Sequence, residues 1–155
     1  MSGNSPDMTV NLVLMPASKP LSKSQYEDLA AFRFELRKFL RFSENAAGTA
    51  GITPQQYQAL LAIKGFPGRD QVTVGELAER LQIRHHSAVG LIDRLVLESL
   101  VTRDASSEDR RLVHIRLTSR GERMLEKLAA THREELSLIG PELRTLLQRV
   151  NSSDG

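Results

Sequence analysis

The chain has 155 residues and no cysteine, with 40% hydrophobic and 26% charged residues. That fits one globular domain, with or without an oligomerisation element, and excludes global disorder, a disulfide framework, a Cys-ligated zinc site and a thiol redox switch. The formal net charge is +2 and the pI about 9.2; 16 of the 21 basic residues are Arg, the side chain suited to planar recognition of phosphates, carboxylates and guanine edges.

Residues 1–21 read as an N-terminal arm, polar apart from the short apolar segment Thr9–Met15. No stretch approaches the apolar length of a membrane span. Asp7 precedes the apolar segment and no basic region does, which argues against a signal peptide. The expectation is a cytoplasmic protein.

Residues 22–51 are expected to hold a first, dimerising helix. Ser22 or Ser24 can cap it, and it is predicted to end near Asn45, before a small-residue loop, Ala46–Gly51. Leu29, Phe32, Leu36, Phe39 and Leu40 recur at helical spacing, while Phe34 and Phe42 lie off that stripe, so the helix is apolar on more than one side.

Residues 52–120 begin with a capping signature: Thr53 as N-cap, Pro54 at the first helical position and Gln56 at the capping-box position. Gly65-Phe66-Pro67-Gly68 ends that helix. A short helix opens at Thr73 or Val74, and Gln82-Ile83-Arg84 turns the chain. A longer helix runs from His85 or His86 to Glu98, with Ala88, Leu91, Ile92 and Leu95 inward. Leu100–Arg103 and Leu112–Leu117 read as two strands joined by a charged loop. Thr118 caps a long helix whose stripe is Leu125, Leu128, His132, Leu136 and Ile139. Gly140-Pro141 is expected to break it, leaving a last helix over Glu142–Val150. Residues 121–155 thus read as C-terminal dimerisation helices.

A short helix, a tight turn, a longer helix and a hairpin make a winged helix-turn-helix. The fold class is therefore mainly α with a small β-wing, a winged helix-turn-helix plus a helical dimerisation region. Such a unit lays its second helix in the DNA major groove and its wing tip against the minor groove. Arg84, His85, His86 and Ser87 stand at the start of the second helix, where all can donate hydrogen bonds and the helix terminus itself attracts phosphate. Gly90 removes a side chain one turn on, and Arg110 and Arg111 stand at the wing tip.

At this point the chain resembles the MarR family of bacterial transcription regulators, over roughly Leu29 to Leu147. The resemblance rests on Leu91-Ile92-Asp93-Arg94-Leu95, then Leu100-Val101-Thr102-Arg103, Asp109-Arg110-Arg111 and Leu117-Thr118-Ser119-Arg120-Gly121, in that order and spacing. It implies a homodimer, formed by interleaved terminal helices, that binds double-stranded DNA at a pseudo-palindromic operator. By the same resemblance Arg111 reaches into the minor groove, and Asp109 holds the wing through an arginine, for which Arg94 is the candidate. It also implies a small aromatic or anionic effector between the lobes, for which Arg33, Phe39 and Tyr57 are candidate contacts. The chain departs from the family at Ser99, where a Gly is common, and at Gly90, where Arg or another polar residue is common. Ser99 puts strain in question at the helix exit, and Gly90 moves base reading toward Arg84, His85 and His86.

The functional expectation is a nucleoid-associated repressor released by an effector. The alternative is a winged-helix module for protein interaction or ligand binding without an operator. No P-loop, dinucleotide fingerprint, G-x-S-x-G, H-E-x-x-H or cysteine nucleophile is present, so no enzyme activity and no cofactor is expected. His85-His86 lack a second pair of ligands at suitable spacing, and His132, near Glu135, reads as a dimer-interface or surface histidine rather than a ligand, so no metal is expected.

Overall fold

The structure is a computed structural model and describes residues 19–105 and 112–152. The elements are α1 (Lys23–Ala50), α2 (Pro54–Lys64), β1 (Gln71–Val72), α3 (Val74–Leu81), α4 (His85–Leu97), β2 (Val101–Ala105), β3 (Val113–Leu117) and α5 (Ser119–Asn151). The strands form an antiparallel sheet in the order β1-β3-β2.

The helix starts follow from their caps. The Ser22, Thr53 and Thr73 hydroxyls accept from the backbone N–H of Gln25, Gln56 and Glu76, whose side chains reach back to the cap N–H groups. Each box satisfies two otherwise orphaned donors. Thr118 Oγ1 likewise accepts from the Gly121 N–H at 3.0 Å.

Three boundaries differ from the sequence expectation. First, α1 does not stop near Asn45 but continues to Ala50. Ala46, Ala47 and Ala50 are strong helix formers, Ala47 is fully buried, and the stop falls to Gly51 at φ 87°. Second, Gly140-Pro141 does not break the last helix, and α5 is continuous. Pro141 removes one backbone donor, a local cost of about 3 kcal/mol; good helix formers on both sides and the buried Leu146 carry the helix through. Third, β1 adds a strand to the expected two. Two residues are too few to show a period, and pairing of Gln71 with Arg116 and of Val72 with Ile115 creates this strand.

The core lies between α2, α3, α4 and the sheet, and includes the fully buried Leu60, Ile63, Leu77, Leu91, Ile92, Leu95 and Ile115. All four predicted inward residues of α4 are buried. Ile115 and Leu117 are buried on one face of β3, while Val113 near the hairpin end is exposed.

The exit of α4 carries strain at the predicted residue. Ser99 sits at φ 59°, its N–H donating to the Val96 carbonyl and the Leu100 N–H to the Leu95 carbonyl. This is a Schellman closure with serine in the left-handed position that glycine occupies most easily. Ser99→Gly is expected to raise stability by about 0.5–1 kcal/mol. Urea unfolding checks this: the midpoint should rise at constant slope, and a lower midpoint would show that the serine is not strained.

Candidate nucleic-acid interface

The helix-turn-helix is α3, the turn Gln82-Ile83-Arg84, and α4. Gln82 closes α3 in the left-handed conformation at φ 54°, and the Ile83 N–H bonds back to the Ala78 carbonyl at 3.0 Å. The approach to α3 is knotted by ion and ring contacts. Arg69 pairs with Glu76, and the Arg69 and Arg80 guanidinium groups lie 4.5 and 5.0 Å from the Phe66 ring centre. Burial pushes the Glu76 carboxyl up, but hydrogen bonds from Thr73 and the Arg69 charge outweigh it and hold the group below its usual range. Its share of stability is therefore present above the ordinary carboxylate range and lost as pH falls through the lowered one.

At α4, Arg84 is the N-cap and gives no side-chain cap, and no acid occupies the first turn. The N–H groups of that turn take no side-chain cap, and Arg84, His85 and His86 beside them are exposed. Ser87 and Gly90 are half-buried. His86, Gly90 and Arg94 follow at four-residue spacing and share one helix face. The Arg94 guanidinium passes 3.8 Å from where a Gly90 Cβ would stand, so an alanine would fit there and Gly90 is not demanded by packing.

The wing leaves α4 through β2 and returns along β3, with Val101 opposite Leu117 and Ala105 opposite Val113. Its base is closed by Thr118, whose hydroxyl donates to the Ser99 carbonyl at 2.6 Å and whose N–H donates to the Leu100 carbonyl at 3.0 Å. An ion pair between Arg103 on β2 and Asp93 on α4 ties the wing to the helix. Sequence reasoning missed this pair, although both residues lie in the quoted motifs; only the hairpin's path brings them together. Asp109, Arg110 and Arg111, and with them the Asp109–Arg94 pairing, lie outside the described residues.

The proposed effector contacts separate. Arg33 is exposed on α1. Phe39 and Tyr57 converge, but the space between them holds the imidazole of His132. Tyr57 stacks on that ring at 4.4 Å, and Phe39 and Phe42 meet it edge-on at 6.0 and 5.6 Å. His132 Nδ1 lies 2.6 Å from the Leu128 carbonyl and Nε2 2.8 Å from the Ser43 hydroxyl. A carbonyl only accepts, so Nδ1 donates, and in the neutral ring Nε2 accepts from Ser43. Burial raises the Tyr57 phenol above its ordinary pKa. The predicted stripe of α5 put His132 on the inward face, but the expectation of a dimer-interface or surface histidine is corrected: it is buried within the chain among rings from α1 and α2.

Among the described residues no group of acids and histidines is placed to hold a metal ion, and no helix is long and apolar enough to cross a membrane.

The MarR family model matches residues 50–112, which is α2 through the first half of the wing. Over residues 50–112 the chain is thus similar to the MarR family. The chain is 30% identical over 80 residues to the HTH-type transcriptional repressor MdtR of Bacillus subtilis, a match covering 52% of this chain and 50% of that relative. It thus spans about half the length of that repressor. Among solved structures it is similar to AbsC, a MarR family transcriptional regulator from Streptomyces coelicolor, with TM-score 0.69, 22% identity, and 85% and 92% of the two chains covered. It is also similar to a variant of MepR from S. aureus bound to an oligodeoxyribonucleotide, with TM-score 0.62, 20% identity, and 86% and 99% covered. These likenesses place the MarR fold over α1 and α5 as well as over the winged helix.

Proposed function

We propose that the chain is a MarR-type transcription regulator that binds double-stranded DNA at a pseudo-palindromic operator as a homodimer, and represses transcription until a small-molecule effector releases it. The uncapped start of α4, flanked by exposed Arg84, His85 and His86 and braced to the wing through Asp93–Arg103, is the observation that carries this reading. Open N–H groups, a helix dipole and cationic side chains together suit a phosphate backbone, and the same first turn offers donors to base edges. The similar MepR variant is bound to an oligodeoxyribonucleotide, which supports DNA binding as the reading of this fold.

Residues 22–51 and 121–155 are the dimerising parts of this proposal, and 52–120 the DNA-binding part. Phe34 is 59% and Leu138 78% exposed in the single chain, an apolar excess on α1 and α5 that a second copy would cover. Two winged helices related by a two-fold axis would meet half-sites about one helical turn apart. The protein would act in the cytoplasm, at the nucleoid, and would catalyse no reaction.

The test is binding to duplex DNA at graded salt, with Arg84→Ala, His86→Ala and Arg111→Ala compared. Affinity should fall steeply with salt. Arg84→Ala or His86→Ala should change preference at one base position by about 1–3 kcal/mol, and Arg111→Ala should weaken binding to all sequences. Salt-insensitive binding, untouched by these changes, would instead indicate a protein-interaction module.

A further inference from the structure

Buried polar side chains are few in this chain and lie close together. Among the described residues they are Ser43, Gln56 and His132. The core of the winged helix, around Leu77, Leu91, Ile92 and Ile115, is apolar. Gln56 serves the cap of α2, its Oε1 accepting from the Thr53 N–H at 2.9 Å. Ser43 and His132 serve no cap. They bond each other, hydroxyl to Nε2, across the seam between α1 and α5. Tyr57, next to Gln56 in α2, lays its ring on the same imidazole. One ring thus joins the two long helices to the first helix of the winged-helix part.

Apolar packing has no direction, and a seam of aliphatic side chains loses its unique fit before it loses stability. The imidazole is held differently. Nδ1 must meet the Leu128 carbonyl and Nε2 the Ser43 hydroxyl. A buried polar atom that loses its partner costs more than the bond contributes, so a slipped seam is penalised here and tolerated elsewhere. Phe39 and Phe42 box the ring in from α1. We infer that the Ser43–His132 bond, with the Tyr57 stack, is the pin that fixes the angle between the winged helix and the two long helices. Both residues are buried, so they are positioning residues: they act on DNA through where α4 stands, never by contact. That consequence for DNA rests on the proposed function; the fixed angle does not.

The test reads the angle directly, in the full chain without DNA. The chain has no cysteine, so Arg37→Cys on α1 and Glu79→Cys on α3, both at exposed positions, carry a pair of spin labels. Dilution with unlabelled chain leaves only the distance within one chain to be measured by pulsed dipolar spectroscopy. The parent should give one narrow distance. His132→Phe keeps a ring on Tyr57 and removes both side-chain bonds; the freed Ser43 hydroxyl has the Phe39 carbonyl one turn back. It should leave the urea midpoint close to that of the parent, yet widen or shift the distance by roughly 1–2 Å or more, the size of helix shifts at packed joints. Ser43→Ala should loosen the angle in the same way. A distance as narrow as the parent's, and unmoved, in both variants would overturn the pin. So would failure of both to fold, since the pair would then support the whole core rather than one angle. On the selected operator, both variants should tolerate half-sites moved apart by one base pair better than the parent does. A chain whose variants loosen but which binds no duplex keeps the pin and loses the proposed function.

Discussion

Gly121→Ala is expected to destabilise the fold by about 3 kcal/mol or more. Gly121 is buried in the first turn of α5, where the helix crosses the exit of α4. A Cβ there would press into the Leu100 carbonyl, with the carbonyl carbon only 3.1 Å away. That carbonyl cannot retreat. It accepts from the Thr118 N–H at 3.0 Å, and the Leu100 N–H is held by Leu95 at 2.9 Å. The next residue, Val101, is paired with Leu117 in the sheet. The clash is backbone against backbone, with no flexible side chain to yield. Chemical unfolding checks this. A midpoint shift of less than about 1 kcal/mol would mean that α5 is free to slide on the wing, against the packing described.

Leu136→Glu is the second large effect, and it separates the single chain from the proposed dimer. Leu136 is 44% exposed, so in an isolated chain the change should be close to neutral. In the proposed dimer its side of α5 would be buried by the partner copy, and an unpaired carboxylate there would cost about 3–5 kcal/mol. Sedimentation equilibrium should show the parent chain dimeric and the variant dissociating at concentrations roughly 100-fold higher or more, with operator affinity lost alongside. An unchanged dimer would place the interface elsewhere. A parent chain that is monomeric at high concentration would remove the two-fold operator from the account.

Local rules made much of this fold readable. The Thr53-Pro54-Gln55-Gln56 box, the Thr118 cap and the inward residues of α4 are short-range patterns, and each stands where its pattern puts it. Ser99 was legible as a strained exit because a side chain stands where the family often has none. What stayed hidden depends on partners distant in the chain. Gly51, rather than the loop-like Ala46–Gly51 run, ends α1 because Ala47 is buried. Pro141 reads as a stop, yet its one missing donor is outweighed by the helix around it. β1 exists because β3 lies beside it. The Asp93–Arg103 pair and the seat of His132 require a hairpin path and three packed helices. Of the site residues, Arg84, His85 and His86 come together at the start of α4. Arg33 does not join Phe39 and Tyr57, whose shared space His132 fills.

The most direct measurement is selection of bound duplexes from random DNA by the full chain, repeated at two salt concentrations. The account predicts one enriched pseudo-palindrome with half-sites about one helical turn apart, and affinity falling as a steep power of salt concentration. An unenriched pool, or binding indifferent to salt, would contradict it and leave the winged helix as a surface for another kind of partner.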